Sequence, residues 1–264
     1  MQLEGNILKM RTKLAHPVKY YLPVGNSELY LNDLVGKQIK LEFRGQINCI
    51  SCGKQTKTSF GQGFCYNCLQ ISPEASESVL RPELSKAHFG IARDMEWAKE
   101  HDLIEHYVYL AESSDLKVGV TRHHQVPARW IDQGASTAIV IARTPNRHIA
   151  GIIEIWLKQH IGDKTNWREM LQNKIAGIDL RDEKLRAINL LPAELLKYAT
   201  DKSEVTSIEY PVLAFPEKVK SISFDNFPVI ENILQGIKGQ YLIFDNGTVL
   251  NIRKHNGYFM RIHG

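Results

Sequence analysis

The chain has 264 residues, 43% of them hydrophobic and 23% charged, which are ordinary globular proportions that exclude a collagen-like, coiled-coil or wholly disordered protein. At roughly 100–200 residues per domain, this length predicts one to three domains, each able to bury a core without a disulfide framework. A formal net charge of +4 and a pI near 8.7 permit a polyanionic partner without requiring one. No run of about eighteen apolar residues occurs, so no membrane-spanning helix is predicted. The opening stretch MQLEGNILKMRTKLAH breaks its apolar residues with charge, unlike a signal peptide, and the expected compartment is the cytoplasm.

In chain order, residues 1–48 are expected to be β-rich, with strands over 18–24 and 38–43 separated by turns at Gly25-Asn26 and Gly36. A cysteine-bearing segment over 49–75 follows, and the Ser/Pro/Glu-rich stretch 72–83 reads as a linker. A central domain over 76–180 opens with strands 106–110 and 116–120, joined by the polar turn 112–115. A short helix is predicted from Pro127 to Gly134, then a strand over 137–142 that is apolar enough to be buried on both faces. The clearest helix is capped by Thr144, with Pro145 at its first position. Ile149, Ile152, Ile153, Trp156, Leu157 and Ile161 follow at helical spacing before Gly162. Further helices are predicted over 166–176 and 182–199. Residues 181–264 then form a helical linker and a barrel-like segment with strands over 210–214, 219–224, 241–244, 248–253 and 258–262. Asn246-Gly247 and Asn256-Gly257 mark tight hairpins. The fold class is α+β, a small central sheet with helices flanked by β-rich ends. Whether those ends form one barrel or two is left open.

All four cysteines, Cys49, Cys52, Cys65 and Cys68, fall in a C-x2-C, twelve-residue gap, C-x2-C pattern. Two such knuckles supply the tetrahedral sulfur shell that Zn²⁺ prefers, and four thiolates close it, so the predicted zinc is structural rather than catalytic. In a cytoplasmic protein a disulfide is the poorer reading. The plain role of such a zinc is to fold a segment with little core of its own. The sharper one is a nucleic-acid-contacting ribbon, suggested by Lys54 and Lys57 among Phe60, Phe64 and Tyr66. Arg253 and Lys254 beside Tyr258 and Phe259 make a second basic, aromatic stretch, readable as a single-strand or RNA platform or as a solvated hairpin.

The central order Tyr107-Val108-Tyr109, Lys117-Val118-Gly119, Arg129 and Glu154 resembles the GIY-YIG nuclease superfamily, specifically its branch with a KIG-type second signature. The resemblance covers about residues 105–175. It departs from the family name at Lys117, where the name has tyrosine, and at Tyr107, where it has glycine. It implies a small sheet with helices and single-metal hydrolysis of a phosphodiester in DNA or RNA. Glu154 would then hold Mg²⁺ or Mn²⁺, an ion that takes few protein carboxylates, and Arg129 would offer a planar fork to phosphate oxygens. Tyr109 would position or deprotonate the attacking water, its phenol acidified by Lys117. Asn166 or Arg168 would hold the scissile phosphate. Apart from the resemblance, Arg122, His123 and His124 form a basic stretch that could contact phosphate. The plain readings are a core tyrosine, a salt-bridged Glu154 and a surface histidine loop. As a whole, the chain resembles a bacterial domain-of-unknown-function family, which brings no substrate with it. The alternatives are a non-catalytic zinc-containing RNA- or ribosome-binding protein and a protein-interaction adaptor.

Overall fold

The structure is a computed structural model that describes residues 2–161 and 166–264. From the N-terminus the elements are β1 (Gln2–Asn6), β2 (Arg11–Lys13), β3 (Lys19–Val24), β4 (Ser27–Tyr30), β5 (Gln38–Asn48), β6 (Gln55–Thr56) and α1 (Tyr66–Ile71). The middle contributes α2 (Met95–His101), β7 (His106–Glu112), β8 (Leu116–Arg122), α3 (Ala128–Asp132), β9 (Thr137–Thr144), α4 (Arg147–Lys158), α5 (Trp167–Leu171), α6 (Leu180–Asn189) and α7 (Ala193–Leu196). Last come β10 (Thr206–Ser207), β11 (Lys220–Ile222), β12 (Val229–Lys238), β13 (Tyr241–Phe244), β14 (Thr248–Asn251) and β15 (Tyr258–His263). The fold is α+β. No helix among the described residues is long and apolar enough to cross a membrane.

The contacts gather into two compact units. The first comprises residues up to Gln70, Ile131–Gly134 and Ile208–Gly264. Its main sheet runs β1-β15-β5-β12-β13-β14-β11, with β6 added on β5, and a second sheet runs β2-β3-β4. The N- and C-terminal strands therefore share one sheet. Register follows the buried face: Tyr258, Met260 and Ile262 alternate inward on β15, opposite Ile47, Phe43 and Leu41 respectively on β5. Strand β12 falls outside the predicted strands, because Glu231, Asn232 and Gly236 break the alternation that would have announced it. Gly236 has a packing reason: a Cβ there would stand 2.7 Å from the Val212 Cα. That crossing leaves the predicted strand 210–214 with only an isolated bridge between Val212 and Gly236. Asn256-Gly257 is not a hairpin either. β14 pairs with β13 while β15 pairs with β1 and β5, and Gly257 has φ +82° where its N–H donates to Ile7 and its carbonyl accepts from Asn48.

The second unit comprises Ile71–Trp130 and Ala135–Ser207 around the antiparallel sheet β10-β9-β7-β8. One face carries Val108, Leu110, Val118, Ile139 and Ile141, which pack with Ile153 and Leu157 of α4 and Leu180 and Ala187 of α6. The α4 helix starts later than predicted. Its cap is Asn146, whose side chain accepts from the Ile149 N–H at 3.0 Å, while Thr144 ends β9 and donates to the His106 carbonyl at 3.2 Å. Gly162, expected to end this helix, lies outside the described residues. The two later predicted helices are shorter than expected, and Pro192 separates α6 from α7.

The Ser/Pro/Glu-rich stretch 72–83 is packed as successive single 3-10 turns against α4. Arg147 donates through Nε to the Ser78 carbonyl at 2.8 Å and through Nη2 to the Val79 carbonyl at 3.0 Å, and the His148 Nδ1 donates to the Glu83 carbonyl at 2.8 Å. The crossing point is Gly151, where a Cβ would stand 2.5 Å from the Pro82 carbonyl carbon and would also collide with the Glu83 amide.

Candidate metal centre and candidate catalytic sheet

The four cysteine sulfurs all lie within 4.8 Å of one another, and Cys52 and Cys65 are 3.9 Å apart. Tetrahedral zinc with Zn–S bonds of about 2.3 Å sets its sulfurs about 3.8 Å apart, so the cluster matches the ion's size. The knuckles are shaped by backbone bonds: Cys49 N–H donates to the Lys54 carbonyl at 2.9 Å, and Gly53, at φ +72°, donates back to Cys49 at 2.8 Å. Burial raises the Cys49 thiol, but the backbone N–H groups of Cys52, Cys65 and Ser51 outweigh that and bring its pKa to about 6. Cys68 is instead pushed up to about 12, chiefly by sharing its proton with the sulfurs of Cys65 and then Cys52. Four thiolates this close cannot coexist without a cation among them, and a divalent thiophilic ion is the group the residues fit. The cluster is closed by sulfur, so a metal held there would be structural.

In the second unit, β7 and β8 pair with Tyr109 opposite Gly119 and Ala111 opposite Lys117. Directly paired residues share a face, so Tyr107, Tyr109, Lys117 and Gly119 stand together on the face opposite the α4 core. A Cβ at Gly119 would stand 2.6 Å from the Tyr109 hydroxyl, so only glycine leaves room for that ring. Tyr109 is fully buried, with the Trp130 ring edge-on at 5.9 Å. Lys117 is buried as well and lies one pleat from Tyr109 rather than directly across from it.

Glu154, next to the core residue Ile153, is carried by α4, the helix that packs on the other face of the sheet. Its side chain is 10% exposed and lies 3.4 Å from Lys158. Burial raises its carboxyl above the ordinary range, opposed by Lys158; Glu83 adds to the rise and Arg129 counters it. Arg129, half-buried on α3, also belongs to a cationic group with Arg122 and Arg147. The structure thus brings Glu154 and Arg129 within electrostatic reach, and separately brings Tyr109, Lys117 and Gly119 together. Asn166 is exposed and caps α5, accepting from the Arg168 and Glu169 N–H groups, and its own N–H donates to Ser114 Oγ at 3.1 Å beside the β7–β8 turn. Among the basic residues, Lys54, Lys57, His123 and Lys254 are exposed, and Arg122 and Arg253 are half-buried.

A family model matches residues 36–260, and its description is Protein of unknown function (DUF2797). The chain belongs to that family. No curated protein and no solved structure matches it. The DUF2797 match takes in all four cysteines and the whole run from Tyr107 to Asn166.

Three side chains packed around the first turns of α4 within this DUF2797 region are absent from the candidates read in the sequence. Arg147, at the start of α4, lies 3.6 Å from the Asp102 carboxylate, and its N–H donates to the Asp102 carbonyl at 2.8 Å. Asp102 in turn accepts from the Ser85 hydroxyl at 2.9 Å. Glu83 approaches α4 at Gly151, one helical turn before Glu154. A signal for the first was present: a cation in the first turn opposes the helix dipole and calls for an anionic partner. Glu83 carried none, because only the tertiary crossing places it there.

Proposed function

We propose that the protein is a cytoplasmic, zinc-containing phosphodiesterase that hydrolyses DNA or RNA on a GIY-YIG-like sheet. The observation that carries the reading is the Tyr109–Gly119 pairing, with a glycine that the tyrosine ring demands, followed along the chain by Arg129 and Glu154 within electrostatic reach of each other. Glu154 is the hard-oxygen donor for one Mg²⁺ or Mn²⁺, and an ion that keeps most of its waters needs no second carboxylate. Such an ion supplies positive charge to the non-bridging phosphate oxygens. Arg129 supplies the fork that orients those oxygens and takes up charge as water attacks phosphorus and the P–O bond to the leaving alkoxide breaks. Tyr109 orients the attacking water, Lys117 adds positive charge on the same face of the sheet, and Asn166 takes the far side of the phosphate. Lys54, Lys57, Arg122, His123, Arg253 and Lys254 contribute sequence-independent affinity.

A second reading, a non-catalytic zinc-containing RNA- or ribosome-binding protein on the same fold, draws on two observations. Tyr109 is fully buried, and the Glu154 carboxylate is already engaged by Lys158. The test is incubation of zinc-loaded protein with labelled single-stranded, duplex and branched DNA and structured RNA in Mg²⁺, Mn²⁺ or chelator. Divalent-dependent cutting supports the phosphodiesterase. Salt-sensitive binding with no cutting of any substrate establishes the binder instead.

A further inference from the structure

A groove of about 700 Å³ lies in the first unit, between β5, the β6 strand of the zinc segment and the turn around Asp225. It originates in an irregularity of β5. Phe43 pairs with Met260 and Ile47 with Tyr258, so four steps along β5 match two along β15. The excess chain bulges outward at Gly45, which has φ +77° and would place a Cβ in open space. The bulge leaves Phe43 half-exposed at the groove wall, backed by the Tyr258 ring at 4.8 Å and the Phe224 ring at 6.5 Å.

The polar lining is asymmetric. Asp225 is held in place from two sides: the Tyr258 hydroxyl donates to Oδ1 at 2.8 Å and the Ser223 hydroxyl to Oδ2 at 3.0 Å. Each carboxylate oxygen retains a lone pair for an incoming N–H. Exposed Lys57 lines the groove on the side of the zinc segment.

We infer that this groove seats one unpaired guanine nucleotide of a nucleic-acid strand, with the base stacked on Phe43, its N–H edge on Asp225 and its phosphate on Lys57. The groove volume falls within the usual range for a bound small group, about 300–1,000 Å³. Unpaired bases are recognised by stacking on aromatic rings and by bonding at their exposed edges. Guanine alone among the four RNA bases presents two neighbouring N–H donors on its pairing edge, which is what a fixed carboxylate accepts. The anionic wall also turns the phosphate away, toward Lys57. The inference rests on nucleic acid being the partner but not on cleavage, and none of its residues belongs to the proposed catalytic set.

The test is isothermal titration of zinc-loaded full-length protein with GMP, AMP, CMP and UMP, and with G-rich and A-rich single-stranded hexamers. The variants are Phe43→Leu, which keeps apolar volume without an aromatic face, Lys57→Gln, and Asp225→Asn, with zinc content and circular dichroism confirming the fold. The expected result is preference for GMP and the G-rich hexamer, roughly tenfold or greater weakening by Phe43→Leu, and loss of the guanine preference in Asp225→Asn. Absence of nucleotide binding up to millimolar concentration, or binding unchanged by all three variants, overturns the inference. Cutting that persists with unchanged hexamer binding removes the groove and leaves the phosphodiesterase standing. Guanine binding without cutting does the reverse.

Discussion

Substituting Gly151 by alanine sets two effects of opposite sign against each other. In an exposed helix interior the change stabilises by about 1 kcal/mol, because alanine loses less backbone freedom on folding. Here the new methyl would stand 2.5 Å from the Pro82 carbonyl carbon and 2.8 Å from the Glu83 Cα, backbone atoms that cannot rotate aside. Overpacking of this kind costs about 1–3 kcal/mol. If segment 72–83 lifts away, the bonds from Arg147 to Ser78 and Val79 and from His148 to Glu83 go too, each worth about 0.5–1.5 kcal/mol. The three bonds together are worth about 1.5–4.5 kcal/mol, so with the helix gain of about 1 kcal/mol set against them Gly151→Ala destabilises by a net ~0.5–3.5 kcal/mol. Urea unfolding reads that as a lower midpoint, and limited trypsin digestion reads it as faster cleavage after exposed Lys86. A variant about 1 kcal/mol more stable than the parent, with unchanged cleavage at Lys86, would show that the segment does not press on α4.

Two further outcomes are expected. The purified protein carries one zinc per chain; Cys52→Ser abolishes it, and chelation opens Lys54 and Lys57 to trypsin while amide exchange in β7–β9 stays unchanged. Loss of protection throughout the central sheet would contradict a locally structural ion. Burial depresses His106 to about 4, below its ordinary 6.5. Between those values the unfolded chain binds a proton that the folded chain refuses, so stability is intact above 6.5 and falls as pH drops toward 4. The slope is up to about 1.4 kcal/mol per pH unit from this group. His106→Asn, which retains a donor for the Ile104 carbonyl, should flatten that part of the pH–stability curve, and an unchanged curve would refute the assignment.

What was legible in the sequence was local. The cysteine pattern encodes its own geometry, because each pair is fixed within a few residues. Tyr109 and Gly119 lie on adjacent strands of a short hairpin, and alternation alone predicts that Lys117 shares their face. The α4 stripe, Ile153 and Leu157 above all, was plain from its spacing, yet its cap was read two residues early because Thr144 and Asn146 are equally good capping types. Only the bond from Thr144 to His106, 38 residues away, decides between them. Nonlocal pairing was closed to the sequence. Nothing in Gln38–Asn48 names β12 and β15 as its neighbours, and Asn256-Gly257 carries hairpin chemistry but serves a crossover between strands that do not pair. The surroundings of Glu154 were hidden for the same reason, since Glu83 lies 71 positions before it in the chain.

The most direct test of the proposed chemistry is single-turnover cleavage by the parent protein and by Glu154→Gln, on whichever labelled DNA or RNA the parent cuts, with binding measured on the same samples. Loss of divalent-dependent cutting by at least about a hundredfold with binding retained is the predicted result. Cutting by Glu154→Gln at the parental rate, or no cutting by either protein, would contradict it.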